Sequence, residues 1–171
     1  MIFGLPERFA VESLVYHRSP NNLFGHLRFW IGGQPVGEFR QNLVLDTPAR
    51  FIRDFLAEPS PRSHFSLDGK SGEEILLVIY WALYSDGEDS AEEKAHLQYR
   101  QFDDIYKRCE LCPGLCASFD GSQAVLLEEE NQDCIIWKAF GQNEVQKIVL
   151  HKGECLAALE GFTNWFTCDC L

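Results

Sequence analysis

A chain of 171 residues with 46% hydrophobic residues and thirteen Phe is long and apolar enough to bury a core without disulfide or metal staples, which excludes a disordered segment. Acidic residues outnumber basic ones by 26 to 15, and the formal net charge of -11 repels phosphate backbones and anionic lipid. Nucleic-acid and membrane-surface binding are thereby disfavoured, leaving a protein kept soluble by its charge or one that meets a basic protein partner.

The N-terminal MIFGLPERFAVES has no basic stretch followed by an apolar one, and no window approaches a charge-free transmembrane span. Seven Cys is an odd count, which points to free thiols in a reducing cytoplasm. A first strand is expected over Arg8 to Tyr16 (RFAVESLVY), rich in β-branched and aromatic residues. In GHLRFWIGGQPVGEF two apolar runs flank Gly32 and Gly33, a hairpin signal, and Pro35 puts the second arm at a sheet edge or next to a bulge. LDTPARFIRDFLAEP reads as a helix with Asp46 or Thr47 as cap, Pro48 at its first position, and Phe51, Ile52, Phe55 and Leu56 on one face.

Ile75 to Tyr84 is almost continuously apolar and fits a buried strand or a buried helix. The capping-box spacing of Ser71 and Glu74 and the four-residue recurrence of Ile75, Ile79 and Leu83 favour helix. The acid-rich DGEDSAEEK reads as a loop or the start of a short helix, and a strand is expected over Phe102 to Cys109. AVLLEEENQDCIIWKAF then reads as strand, acidic turn, strand, with Leu126 and Leu127 facing Ile135 and Ile136. Glu144 to Leu150 supplies another strand. A last helix runs from about Gly153 to Phe166 with Cys155, Leu159, Phe162 and Phe166 in one apolar stripe. The expected fold class is α+β: one domain over residues 1–171, a mainly antiparallel sheet packed with about three helices.

Catalytic signals are sparse. Cys109, Cys112 and Cys116 have the spacing of two or three zinc ligands, but only one pair has the usual gap, so buried free thiols are the expected state and no metal is assigned. His17, His26, His64, His96 and His151 lack paired spacing, and no phosphate-cradling glycine motif or calcium loop occurs, so no cofactor is assigned. Two acidic clusters remain: Asp86, Glu88, Asp89, Glu92 and Glu93, and Glu128, Glu129, Glu130 and Asp133. Like charges this close repel, so folding alone gives no reason to gather them, whereas an acidic surface facing a cationic partner gains association rate and specificity.

MIFGLPERFA, FGHLRFWIGGQPVGEF, EEILLVIYWALYSD, CPGLCASFDGSQAVLLEE and IVLHKGECLAALEGF, in that order, resemble the immunity protein 42 family of bacterial polymorphic toxin systems. The resemblance implies a small cytoplasmic protein without catalytic residues, made beside a delivered toxin, that binds the toxin domain and blocks it. Such toxins are commonly nucleases, whose basic surfaces suit an inhibitor of this charge. Cys109, Cys112 and Cys116 depart from the family pattern. The expectation is stoichiometric occlusion of a basic toxin domain through the nine clustered carboxylates, with exposed Phe or Trp as anchors. The alternatives are a thiol- or metal-dependent enzyme centred on Cys109, Cys112 and Cys116, and a structural domain that self-associates through the Pro35 to Gln41 arm.

Overall fold

Period-two alternation builds the first sheet. The computed structural model describes residues 1–20, 22–58, 61–84, 97–112 and 116–170. Within it β1 (Ile2–Leu5), β2 (Phe9–Arg18), β3 (Leu23–Ile31), β4 (Gln34–Val36) and β5 (Leu43–Val44) form one antiparallel sheet. The order is β1-β2-β3-β4, with β5 pairing the start of β3. Along β3 every second residue from Leu23 to Ile31 is buried, and those between are half-buried. Gly32 and Gly33 make the two-residue turn to β4 with φ of 59° and 79°, a conformation that side chains with a Cβ resist. Pro35 sits opposite Trp30 on the edge strand, as expected of a residue with no N–H for the ladder. The N-terminal strand β1 was not expected: four residues are too few to show alternation, yet they pair from Ile2–Glu12 to Leu5–Phe9.

Four α-helices lie among the described residues, one more than expected: α1 (Asp46–Ala57), α2 (Gly72–Tyr84), α3 (Asp103–Cys109) and α4 (Glu154–Trp165). In α2 the capping box is formed, with Ser71 N donating to Glu74 Oε2 at 2.7 Å and Glu74 N to Ser71 Oγ at 3.3 Å. The cap expected for α1 is absent. Leu45 takes that position without a side-chain bond, and Asp46 Oδ2 instead accepts from Leu23 N at 3.0 Å, tying the helix to β3. The strand expected over Phe102 to Cys109 is α3, preceded by a 3₁₀ turn, Leu97–Phe102. Asp103 and Asp104 in its first turn and Lys107 and Arg108 in its last complement the helix dipole, while Tyr106 and Cys109 face inward.

The second sheet, β6 (Gln123–Glu128), β7 (Gln132–Lys138) and β8 (Gln146–His151), is antiparallel in that order. Strands β6 and β7 are apolar on both faces. Leu126 pairs with Ile135 and Ala124 with Trp137, and all four enter the main core beside Phe29, Phe119, Leu159 and Phe162. Val125 and Ile136, also a pair, enter a separate cluster with Ile75, Ile79 and Tyr106 under α2 and α3. Each such side chain contributes about 1.5–3 kcal/mol by leaving water. Helix α4 lies against β1, β2, β8 and α1, its Cys155, Leu159 and Phe162 buried together with Phe166 just past its end.

Alternation continues to the end of the hairpin and turns two carboxylates inward. Glu128 pairs with Asp133 on the face that holds Leu126 and Ile135, and the two are 4% and 0% exposed. Glu128 meets Arg62, which is 1% exposed: Oε1 accepts from Nη1 at 2.8 Å and Oε2 from the Arg62 N–H at 2.9 Å. Arg62 Nη2 also donates to Phe55 O at 2.6 Å, and the guanidinium lies 4.4 Å over the Phe55 ring. Asp133 Oδ2 accepts from Gly153 N at 2.7 Å, and Lys152 Nζ lies 3.1 Å from Oδ1 as an ion pair without a hydrogen bond. One residue on, Glu154 takes Arg8 in a fork, Nε to Oε1 at 2.6 Å and Nη2 to Oε2 at 2.7 Å.

Glu128→Ala strands the buried Arg62 charge and is expected to cost about 3–5 kcal/mol in urea unfolding, whereas Glu129→Ala and Glu130→Ala stay within about 0.5 kcal/mol. Equal effects at the three positions would contradict the inward placement of Glu128. The Arg8 hydrogen bonds hold the Glu154 carboxyl below its ordinary value of 4.5. A depressed carboxylate stabilises above its unfolded value, so wild type should exceed Glu154→Gln in stability above pH 4.5 and the gap should close as pH falls further. A gap that widens on acidification, followed by urea midpoints, would refute the clamp.

Candidate interaction surface

The turn between β6 and β7 is closed by Glu129 N donating to Gln132 O at 3.0 Å and by Gln132 Nε2 donating to Glu129 Oε2 at 2.7 Å. Lys152 Nζ donates to Glu129 O at 2.8 Å and braces the turn against the start of α4. Of the four carboxylates expected to form one acidic face, Glu129 and Glu130 are exposed at the tip. Glu128 and Asp133 correct that expectation: both are consumed inside the fold, because a period of two places them under Leu126 and Ile135. That signal was present in the sequence as the spacings Leu126 to Glu128 and Asp133 to Ile135. Arg62 carried no such signal, since its partner lies 66 residues away. Asp86, Glu88, Asp89, Glu92 and Glu93 lie outside the described residues.

Two open cavities flank this body. One of about 560 Å³ runs between the β4 side and the loop after β7, with Glu38, Asp120 and Phe140 on its wall. The other, of about 400 Å³, lies between α2 and the second sheet, lined by Glu73, Leu77, Tyr80 and Lys138 among others. Carboxylate and aromatic groups together line both, an arrangement suited to cationic side chains.

The three thiols are divided between two cores. Cys109 belongs to the cluster under α2 and α3, whereas Cys112 and Cys116 belong to the main core, and all three are buried. Burial pushes the Cys109 thiol up to about 12 and raises Cys112 and Cys116 as well, so none is a thiolate near neutrality. The side-chain hydrogen bonds of two histidines go elsewhere: His26 Nδ1 to Gln41 O at 3.0 Å, and His64 Nδ1 to Ser66 Oγ at 2.7 Å. Among the described residues no three His, Cys, Asp or Glu side chains come together in a group that would hold a metal ion. Brief treatment of native protein with N-ethylmaleimide at pH 7 should modify the exposed Cys168 and spare Cys109, Cys112, Cys116, Cys134 and Cys155 until denaturant is added. Rapid labelling of Cys109 or Cys112 in native protein, read by peptide mass spectrometry, would contradict this burial.

Comparison with known proteins fits the same architecture. Among solved structures the chain is similar to the crystal structure of CdiI from Burkholderia dolosa AUO158, with a TM-score of 0.70 and 18% identity over 96% of this chain and 99% of that chain. At this identity the likeness establishes the two-sheet α+β fold. Among curated proteins none matches. The immunity protein 42 family, however, matches residues 1–165. The chain therefore belongs to the immunity protein 42 family, and its role is that of a toxin-neutralising immunity protein.

Proposed function

We propose that this protein acts in the cytoplasm without catalysis, by binding a basic, nuclease-type toxin domain one to one and occluding its active site or a neighbouring surface. The observation that carries this reading is the net charge of -11 on a chain whose family neutralises toxins. Glu129 and Glu130 at the hairpin tip, with Asp86, Glu88, Asp89, Glu92 and Glu93, serve as the steering charges. A braced hairpin tip presents charge at a small entropic cost. Buried thiols divided between two cores give no support to chemistry at Cys109, Cys112 and Cys116.

Co-expression with the toxin domain encoded beside it should restore growth, and equal killing with and without this protein would end the proposal. Steering has its own signature. Glu129→Lys combined with Glu130→Lys should slow association by about tenfold at low salt, with the difference shrinking as salt rises, while the dissociation rate changes little. An unchanged association rate and salt slope would remove the hairpin tip from the encounter surface.

A further inference from the structure

The first sheet has two unlike faces. Inward, Phe9, Val11, Leu27, Phe29 and Ile31 join the main core. On the outward face no described helix or strand is packed, and such a solvated face is ordinarily polar. Here exposed aliphatic and aromatic side chains are interleaved with Glu12, His26 and Arg28. Ile2, Leu14, Tyr16 and Val44 are 52%, 48%, 49% and 39% exposed, far beyond any core residue. The register brings them together: Ile2 pairs with Glu12, Glu12 with Arg28, Leu14 with His26, and Val44 with Phe24. The bulge between Val15 and His17 adds Tyr16 to the same side, its ring 5.1 Å from that of His26.

These side chains are fixed in advance. His26 lies 5.5 Å from the Phe39 ring, and the Arg28 guanidinium sits 4.7 Å over Phe39 and 4.4 Å over Trp30. Glu12 Oε2 accepts from both Arg28 Nε at 2.7 Å and Trp30 Nε1 at 2.8 Å. One carboxylate thus orients the arginine and the indole and cancels the local charge. A neutral, preorganised patch of Trp, Tyr, Phe and Arg without Lys has the composition of an interface centre, where a few such residues carry most of the affinity. Folding alone leaves these apolar groups in water.

We propose that this outward face is the surface on which the toxin domain docks, with Tyr16, Leu14 and the Glu12-ordered pair Arg28 and Trp30 as its anchors. The inference rests on the toxin-binding reading above and adds the location of the affinity. Charge selects the occupant: a second copy would bring another net -11 against the first, whereas a cationic toxin is attracted. The toxin therefore contributes an apolar segment from a domain of net positive charge.

The test uses the full chain and the purified toxin domain encoded beside it, with Kd measured by titration calorimetry for wild type, Tyr16→Ala and Leu14→Arg. Both positions are exposed, so circular dichroism and urea midpoints should match wild type, and Leu14→Gln provides a milder variant if Leu14→Arg does not fold. Tyr16→Ala should weaken binding by about thirtyfold and Leu14→Arg by tenfold or more, with loss of protection in the growth assay. Tight wild-type binding with unchanged Kd in both folded variants overturns this face while leaving the immunity reading intact. Failure of wild type to bind overturns the immunity reading itself. A wild-type dimer in sedimentation that Leu14→Arg dissociates, with toxin affinity unaltered, assigns the face to a second copy and also overturns the proposal.

Discussion

Strand β7 is buried on both faces, and the rest of the molecule is arranged to keep it so. Ile135 and Trp137 face the main core and Cys134 and Ile136 face the opposite cluster, so apolar cover is needed on both sides of one sheet. Helices α2 and α3 supply it on one side; the first sheet, α1 and α4 share the core on the other. With the four described helices used in this way, none is left to lie on the outward face of the first sheet. Among the described residues, the uncovered outward face thus follows from how the interior was closed.

The same hairpin sorts the charges. Period-two pairing drives Glu128 and Asp133 inward, where Arg62, the Gly153 amide and Lys152 answer them, and only Glu129 and Glu130 reach solvent. Removing either partner of a buried pair leaves an uncompensated charge, so Arg62 and Glu128 hold the 61–64 loop to the sheet. Inward carboxylates therefore fix the architecture, while outward ones remain free to act at a distance. Steering by a diffuse acidic surface and affinity from a compact aromatic centre are separable, because long-range charge governs encounter and desolvated anchors govern residence.

Much of this was readable in one dimension. The β3–β4 turn at Gly32 and Gly33, the capping box of α2, the β6–β7 hairpin and the apolar stripe of α4 are local patterns that occur where the residues indicated, although in the hairpin Leu127 faces Cys134 and Ile136 faces Val125. Departures arose where tertiary partners decide. Residues Phe102 to Cys109 carry aromatics that suit a strand, yet their end charges and the apolar cluster beside α2 favour a helix. Asp46 suits an N-cap, but the free amide of Leu23 claims its carboxylate. The bare face was least visible of all: Glu12, Arg28 and Trp30 lie up to 18 residues apart in the chain, and only strand register makes them neighbours.

Hydroxyl-radical footprinting of the free protein and of its equimolar complex with the toxin domain addresses the central claim most directly, since it reports which side chains lose water in the complex. Oxidation of Tyr16, Trp30 and Phe39 should fall sharply in the complex while the exposed Phe65 and Phe140 keep their free-state rates. Unaltered oxidation of Tyr16 and Trp30, with protection at Phe65 or Phe140 instead, would place the toxin elsewhere and contradict the account.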